Sequence, residues 1–376
     1  MIAPPPPGGA IDWRAIEDAL DAVVPARELE RTPQDAAFHS EGDVWTHTKM
    51  VAEAMAADDD FRALPEAERA IVFTAAVAHD VGKPSTTRIE SDGKITSRGH
   101  SARGDQLVRA WLWRLGVPFA DREQVCRLIG SHQVPFFAFG RDNAAHTAET
   151  LSLRLRNDFL ALVALADARG RRCAQQADQD RIVENTLLYR ELCRELGVLD
   201  GPRAFASDHT RVVWRETQGR RRPEVLAFDD CACEVTVMSG LPASGKDWWL
   251  ATQRPGLPVV SLDAVREALD VEPGEPQGGV AHAAREAARD HLRNRRDFAW
   301  NATNLSAQLR GQVVQLAREY GARIRLVYCE APPAVIAARN RERRDPVPAD
   351  AMNRMIARWS VPLPDEAHSV TYAIAT

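Results

Sequence analysis

The chain has 376 residues, 45% of them hydrophobic and 27% charged, and a formal net charge of −5. That length accommodates two domains, and the composition is that of an ordinary soluble globular protein. The acidic balance excludes nucleic-acid binding through the overall field, so any such binding needs local basic patches.

Six cysteines (Cys126, Cys173, Cys193, Cys231, Cys233, Cys329) are scattered without a CxxC pair. They read as reduced thiols of a cytosolic protein. The start, Met1-Ile-Ala-Pro-Pro-Pro-Pro-Gly-Gly9, lacks the charged and apolar blocks of a signal peptide. No apolar run approaches the roughly 20 residues that a membrane helix needs. The expected location is cytoplasmic, with no membrane partner.

Residues 1–10 read as a disordered Pro/Gly leader. A helix is predicted from Ile11, with Trp13, Ile16, Leu20 and Val23 on one face. Helical patterns then dominate, over Ala67–Ala78, Ala102–Leu115, Arg122–Ser131, Ala148–Arg169 and Asp178–Leu196. Residues 1–200 therefore read as an all-α domain. The polar stretch 201–232 reads as a linker with short strands near Arg211–Trp214, and Arg220–Arg222 read as a solvated hinge or, alternatively, a phosphate-backbone contact.

From residue 233 the pattern alternates. Strands are predicted at Glu234–Met238, Val259–Leu262, Phe298–Asn301, Arg323–Cys329 and Val370–Ile374. Helices are predicted at Ala281–Asn294, Ala307–Tyr320 and Pro333–Arg344. Such alternation implies a parallel sheet with helices on both faces. The expected fold is thus two-domain, all-α and then α/β, with the second domain at 233–376.

The first half carries His47, the adjacent His79-Asp80 and Asp167, with His100 and His132 between them. Imidazole and carboxylate suit a divalent transition metal. His79-Asp80 ends the apolar helix segment Ala75–Ala78, and Asp167 ends the apolar stretch Leu160–Ala166. Ligands from three helices can converge in a bundle core. A metal held there supplies phosphoester hydrolysis, and His100 with His132 can hold a second ion. Lys83 is a candidate phosphate contact or turn cap, and Asp43 reads as an outer or helix-capping group.

The ordered strings are Phe38-His39-Ser-Glu-Gly42-Asp43-Val-Trp45-Thr-His47, His79-Asp80-Val-Gly82-Lys83-Pro84, Gly99-His100-Ser101, Ser131-His132 and Leu165-Ala-Asp167-Ala-Arg-Gly170-Arg171. Over about residues 35–175 they resemble the HD phosphohydrolase superfamily. They are especially similar to the HD domain attached to bacterial CCA-adding tRNA nucleotidyltransferases. That resemblance implies action on 2′,3′-cyclic and 2′-phosphates.

In the second half, Gly240-Leu-Pro-Ala-Ser244-Gly245-Lys246 follows a predicted strand and precedes a helix. That is the context of a phosphate loop, in which backbone N–H groups, a lysine and a helix N-terminus hold nucleotide phosphates. Asp247 stands where Ser or Thr normally reaches Mg²⁺, and it reads either as a metal ligand or as a helix cap. Trp248-Trp249 read as core or nucleobase-facing surface. Asp263, after the second strand, is placed to take a proton from an attacking hydroxyl. Asn301, Thr303 and Asn304 are candidate contacts to nucleotide or acceptor. Arg339, Arg343 and Arg344 form a candidate lid over a triphosphate.

These strings resemble the polynucleotide 5′-kinase branch of P-loop phosphotransferases. The resemblance implies Asp263 as general base, Arg266 as a contact to the acceptor phosphate, and ATP or another nucleoside triphosphate with Mg²⁺ as donor. The order of the two halves resembles a bacterial family of RNA end-healing enzymes called HD-Pnk. It implies RNA or DNA ends as substrate and an RNA ligase as functional partner. An HD nucleotide phosphohydrolase fused to a small-molecule kinase is the alternative. A nucleotide-gated regulatory half is a further one, which the acceptor base Asp263 disfavours.

Overall fold

The computed structural model describes residues 1–140, 143–272 and 274–375. The chain divides into two compact units, Met1–Arg203 and Ala204–Thr376.

The first unit is helical, apart from a hairpin of β1 (Arg88–Ile89) and antiparallel β2 (Ile95–Thr96). Its core is built from helices Val44–Ala57, Glu66–Ala78, Phe119–Ser131 and Asn157–Arg169, with Val51, Phe73, Leu128 and Val163 fully buried. Each such side chain stabilises the unit by roughly 1.5–3 kcal/mol. The leader is not free. Ile2 is buried in this core and its N–H donates to Thr74 Oγ1 at 3.0 Å, because one apolar residue ahead of the prolines finds a long-range pocket.

The long helix expected over 148–169 is two helices, Ala144–Ser152 and Asn157–Arg169. The break is held by Asn157, whose Nδ2 donates to Ala148 O and Val198 O while Tyr189 OH donates to its Oδ1. Those partners are distant in sequence, so no local pattern announces the turn.

The second unit carries a five-stranded parallel sheet in the order β4-β5-β3-β6-β7. The strands are β3 (Cys233–Ser239), β4 (Val259–Ser261), β5 (Phe298–Asn301), β6 (Ala322–Glu330) and β7 (Ser369–Ile374). Buried Val235 and Val237 on central β3 pack with Leu326 of β6 and Phe298 of β5. Residues 208–216 are a helix, Asp208–Glu216, where short strands were expected. Ser207 caps it by accepting from Thr210 N, and Arg211 ties it to the carbonyls of Pro364 and His368, which together override the β-branched run Val212-Val213. The helix from Pro333 ends at Arg341, three residues before its expected end. Leu262–Ala268 is a helix that begins directly at the end of β4.

Candidate functional sites

In the first unit, Asp43 caps the helix that carries His47, its Oδ1 accepting from Thr46 N at 2.8 Å. His79 closes the helix Glu66–Ala78, and His132 closes Phe119–Ser131. His100 begins the helix His100–Arg114, and Asp167 lies in the last turn of Asn157–Arg169. Gly170 lets that last helix close on the first, because a Cβ there would sit 2.6 Å from the Val51 backbone. This approach puts His47 Nε2 3.1 Å from Asp167 Oδ1.

All six expected metal ligands meet in one buried cluster, none more than 6% exposed. His79 Nε2 is 3.1 Å from Asp80 Oδ2 and 4.0 Å from Asp167 Oδ1. His100 Nε2 is 3.3 Å from Asp80 Oδ1, and His132 Nε2 is 3.9 Å from Asp167 Oδ2. The two carboxylates thus lie between a His47/His79 pair and a His100/His132 pair.

The outer nitrogens fix the tautomers. His79, His100 and His132 each donate Nδ1–H to the carbonyl three residues back, Ala76, Ser97 and Ile129, at 2.7, 2.8 and 2.8 Å. At His100 and His132 the Nε2 lone pairs therefore face inward, whereas at His79 burial is outweighed by the Asp80 and Asp167 carboxylates, which raise the pKa. His100 and His132 bring two such lone pairs to 3.4 Å from one another. Burial lowers the pKa of both, His132 to about 3, so neither supplies a proton between them. His79 Nε2, both Asp80 oxygens and Asp167 Oδ2 are buried without a well-directed hydrogen bond. Acceptors facing acceptors in a buried pocket fit a bound cation, and imidazole with carboxylate fits a divalent transition metal.

Further groups complete this cluster. Lys83 Nζ lies 2.6 Å from both Asp80 Oδ2 and Gln34 Oε1, so the lysine is an ion-pair partner of a ligand. Arg171 binds Asp167. Burial alone raises a carboxyl pKa, but His79 and Lys83 at Asp80, and Arg171 at Asp167, hold both well below the usual range. Glu41 Oε1 stands 2.9 Å from Nδ1 of both His39 and His47, so it orients a ligand from behind. Glu41, His39 and Arg171 were not singled out from the sequence, although all three lie within the quoted strings.

In the second unit the phosphate loop joins central β3 to the helix Lys246–Gln253. Gly240 has φ +143°, and a Cβ there would lie 2.3 Å from Cys329 O, so the loop start admits only glycine. Lys246 Nζ donates to the carbonyls of Gly240 and Leu241 at 3.0 and 2.9 Å. Burial lowers its pKa to about 8, although the Asp247 and Asp263 carboxylates oppose the shift. Ser244 Oγ is buried without a partner at the same loop.

Asp247 does not cap its helix. Its Oδ1 accepts from Asn301 Nδ2 at 2.5 Å. Asn304 is structural: it donates to Met238 O and its own carbonyl accepts from Ser239 Oγ, which ties the segment after β5 to β3. Asp263 lies in the first turn after β4, largely exposed, 2.5 Å from Arg266 Nη1. Arg266 Nε also donates to Gln277 Oε1 at 2.9 Å. Arg339 Nη1 lies beside the loop, 3.6 Å from where a Cβ on Gly245 would be. The charge of Arg343 is felt at Lys246, and Arg344 is exposed. Trp248 is exposed at 69%, whereas Trp249 packs with Leu250 and Met238.

A third cluster, His209, Cys231 and His368, also has metal-like spacing, with the ring nitrogens 3.2 Å apart and Cys231 Sγ 3.7 and 3.8 Å from them. Its protons point to another role. Ile324 N–H donates to His368 Nδ1 at 3.0 Å, so neutral His368 carries its proton on Nε2 and donates to His209 Nδ1. The cluster is a hydrogen-bonded pin between the helix Asp208–Glu216 and the start of β7.

Residues 44–179 match the HD domain family model, and residues 235–362 match an AAA domain model. A helical domain that matches the HD model is thus followed by an α/β domain with a phosphate loop that matches the AAA model. The chain is similar to the multifunctional CCA protein of Xanthomonas axonopodis pv. citri, at 32% identity over 43% of this chain and 38% of that protein. It is similar to that of Ralstonia nicotianae at 33% identity, over 43% of this chain and 36% of that one. The chain thus spans less than two-fifths of the length of these curated relatives. Among solved structures, a sugar kinase from Janibacter sp. aligns at 21% identity and a TM-score of 0.30, over 38% of this chain and 84% of that one. Kti12 of Chaetomium thermophilum in complex with ADP-AlF3 aligns at 17% and 0.28, over 38% and 88%. No helix among the described residues is long and apolar enough to cross a membrane.

Proposed function

We propose that this chain heals broken RNA ends. Its first unit removes 2′,3′-cyclic and 2′-phosphates, and its second phosphorylates 5′-hydroxyls. The observation that carries the hydrolase half is the facing Nε2 lone pairs of His100 and His132 beside Asp80 Oδ1 and Asp167 Oδ2, both buried without a hydrogen-bond donor. The likeness of this half to multifunctional CCA proteins supports a phosphate at an RNA 3′ end.

His47, His79, Asp80 and Asp167 would hold one divalent ion, and His100 and His132 would hold a second with the same carboxylates. Such ions lower the pKa of water and polarise a phosphoryl oxygen. Lys83 and Arg171 already balance the charges of Asp80 and Asp167. With divalent metal bound, that balanced set would carry net positive charge, which suits an anionic substrate phosphate. Lys83, buried at the edge of the cluster, then supplies a cation to the phosphate. Glu41 keeps the His47 ring in place.

In the kinase half, loop N–H groups and Lys246 hold the donor's phosphates. Asp263 accepts the proton of the 5′-hydroxyl as its oxygen attacks the γ-phosphorus and ADP leaves. Arg266 orients Asp263 and meets the acceptor's phosphate. Arg339 and Arg343 stabilise charge on the transferring group, and Arg344 extends the same lid. Asp247, held at Oδ1 by Asn301, would serve as the carboxylate that holds Mg²⁺. The products, a 5′-phosphate and a 3′-hydroxyl, are what an RNA ligase joins.

The test is one RNA that carries a 5′-hydroxyl and a 2′,3′-cyclic phosphate, incubated with γ-labelled ATP and a panel of divalent metals. Labelled 5′ ends and free 2′,3′-hydroxyls are expected. Absence of label on the RNA would move the kinase to a small-molecule acceptor, and an intact cyclic phosphate with every metal would move the hydrolase to another phosphoester.

A further inference from the structure

Beside the buried cluster lies a cavity of about 500 Å³, within the range that ligand sites occupy. His100, Lys83 and Arg171 reach it from the candidate metal centre. None of the phosphate chemistry explains its other walls. Phe38, Phe136 and Phe137 line it, and Phe38 and Phe137 are 38% and 52% exposed. Phe136 is buried and fixed: the Arg171 guanidinium lies 4.9 Å from its ring centre, and Asn185 Nδ2 donates to its carbonyl at 2.8 Å. Phe137 meets Phe136 edge to face, ring centres 6.2 Å apart. Arg98 and Arg181 add two exposed cations to the lining. Arg181 pairs with Asp178, whereas Arg98 makes no ion pair among the described residues.

Exposed aromatic faces cost hydration and gain nothing unless something flat covers them. Together with the exposed Arg98 cation beside the candidate metal centre, they match a nucleotide. We infer that this cavity holds the terminal nucleoside of the substrate strand, its base stacked on Phe38 and Phe137 and a backbone phosphate drawn to Arg98. The inference rests on the hydrolase reading above and deepens it, because it names how the strand end is gripped. Stacking uses the π-face that every base has, so the grip is tolerant of sequence, as end healing at arbitrary breaks requires. Phe38 and Phe137 are positioning residues. They touch the base, not the reacting phosphate.

Binding of adenosine 2′-monophosphate and of inorganic phosphate to the full chain, measured by calorimetry after chelator treatment to strip divalent metal, tests this without turnover. Phe38→Ala/Phe137→Ala should raise the Kd for the nucleotide at least fivefold, the low end of one lost base stack, and leave the Kd for phosphate within twofold. Phe137→Trp in an otherwise native chain should keep the nucleotide Kd within twofold. Equal losses for both ligands, or a nucleotide Kd changed less than twofold in the double variant, would overturn the inference. A failed hydrolase reading has a different signature: the difference in binding persists while no metal supports opening of a cyclic phosphate.

Discussion

The two phosphate sites are built in opposite ways. In the first unit every expected ligand is buried, and several polar atoms there lack partners. In the second, the proposed base and its arginine lie toward solvent, with Asp263 72% and Arg266 24% exposed at the side chain. A buried acceptor cluster is unstable until a cation completes it, so its geometry is fixed by the fold. An exposed pair is completed by the substrate itself, so its geometry can wait for binding. The buried site should therefore couple strongly to stability, and the exposed one chiefly to turnover.

The largest effects separate the halves. Asp80→Ala should reduce phosphate removal by more than about a hundredfold, beyond the range that outer groups give, and leave 5′ phosphorylation intact. Lys246→Ala should do the reverse. Joint loss in either variant, assayed on doubly modified RNA, would break the comparison. Next come the two arginine–carboxylate pairs, which isolate burial. Arg171→Met leaves Asp167 buried without its guanidinium partner and should destabilise the first unit by about 3–5 kcal/mol in urea unfolding. Arg266→Ala breaks an exposed pair and should cost under about 1 kcal/mol, although kinase turnover falls. Similar losses of stability for the two would remove the distinction.

The sequence made much of this legible where chemistry is contiguous. His79-Asp80 and Gly240–Lys246 carry their roles in neighbouring residues, and both lie at the ends of the elements the periodicity predicts. What escaped depends on distant partners. Arg171 matters because its helix end brings it back onto Asp167, and Glu41 because its loop folds behind His47. Ile2 joins the core only through Thr74, and Asn304 looks like a ligand contact until its bonds to β3 are seen. The run 211–214 carries strand propensity, and tertiary bonds from Arg211 made it a helix. Asp263 and Arg266 are an i,i+3 pair on a seven-residue helix that the strand pattern overran by one residue.

Glu41 gives the next test of the buried site. Glu41→Gln keeps the shape but removes the charge behind His47, and should weaken metal retention about 10- to 100-fold. Metal content after dialysis against graded chelator measures it. Unchanged retention would reduce Glu41 to a brace for the loop, which is tied at Arg172 N.

The smallest expected effect sharpens the other side. Lys246 is a half-buried cation whose pKa, about 8, is depressed by the loop packed around it. Donor phosphates favour its ammonium form, so binding raises that pKa. Below pH 8 the lysine is already charged and affinity is flat. Above pH 8 binding must take up a proton, so affinity falls as pH rises, by about tenfold between pH 7 and 9. Calorimetry of ATP binding in buffers of different ionisation heat should show proton uptake near pH 9 and almost none at pH 7. Lys246→Arg, which stays charged throughout, should flatten the profile. A wild-type affinity that does not change from pH 7 to 9 would show that Lys246 is charged before the nucleotide arrives, as fixed in advance as the ligands of the buried site.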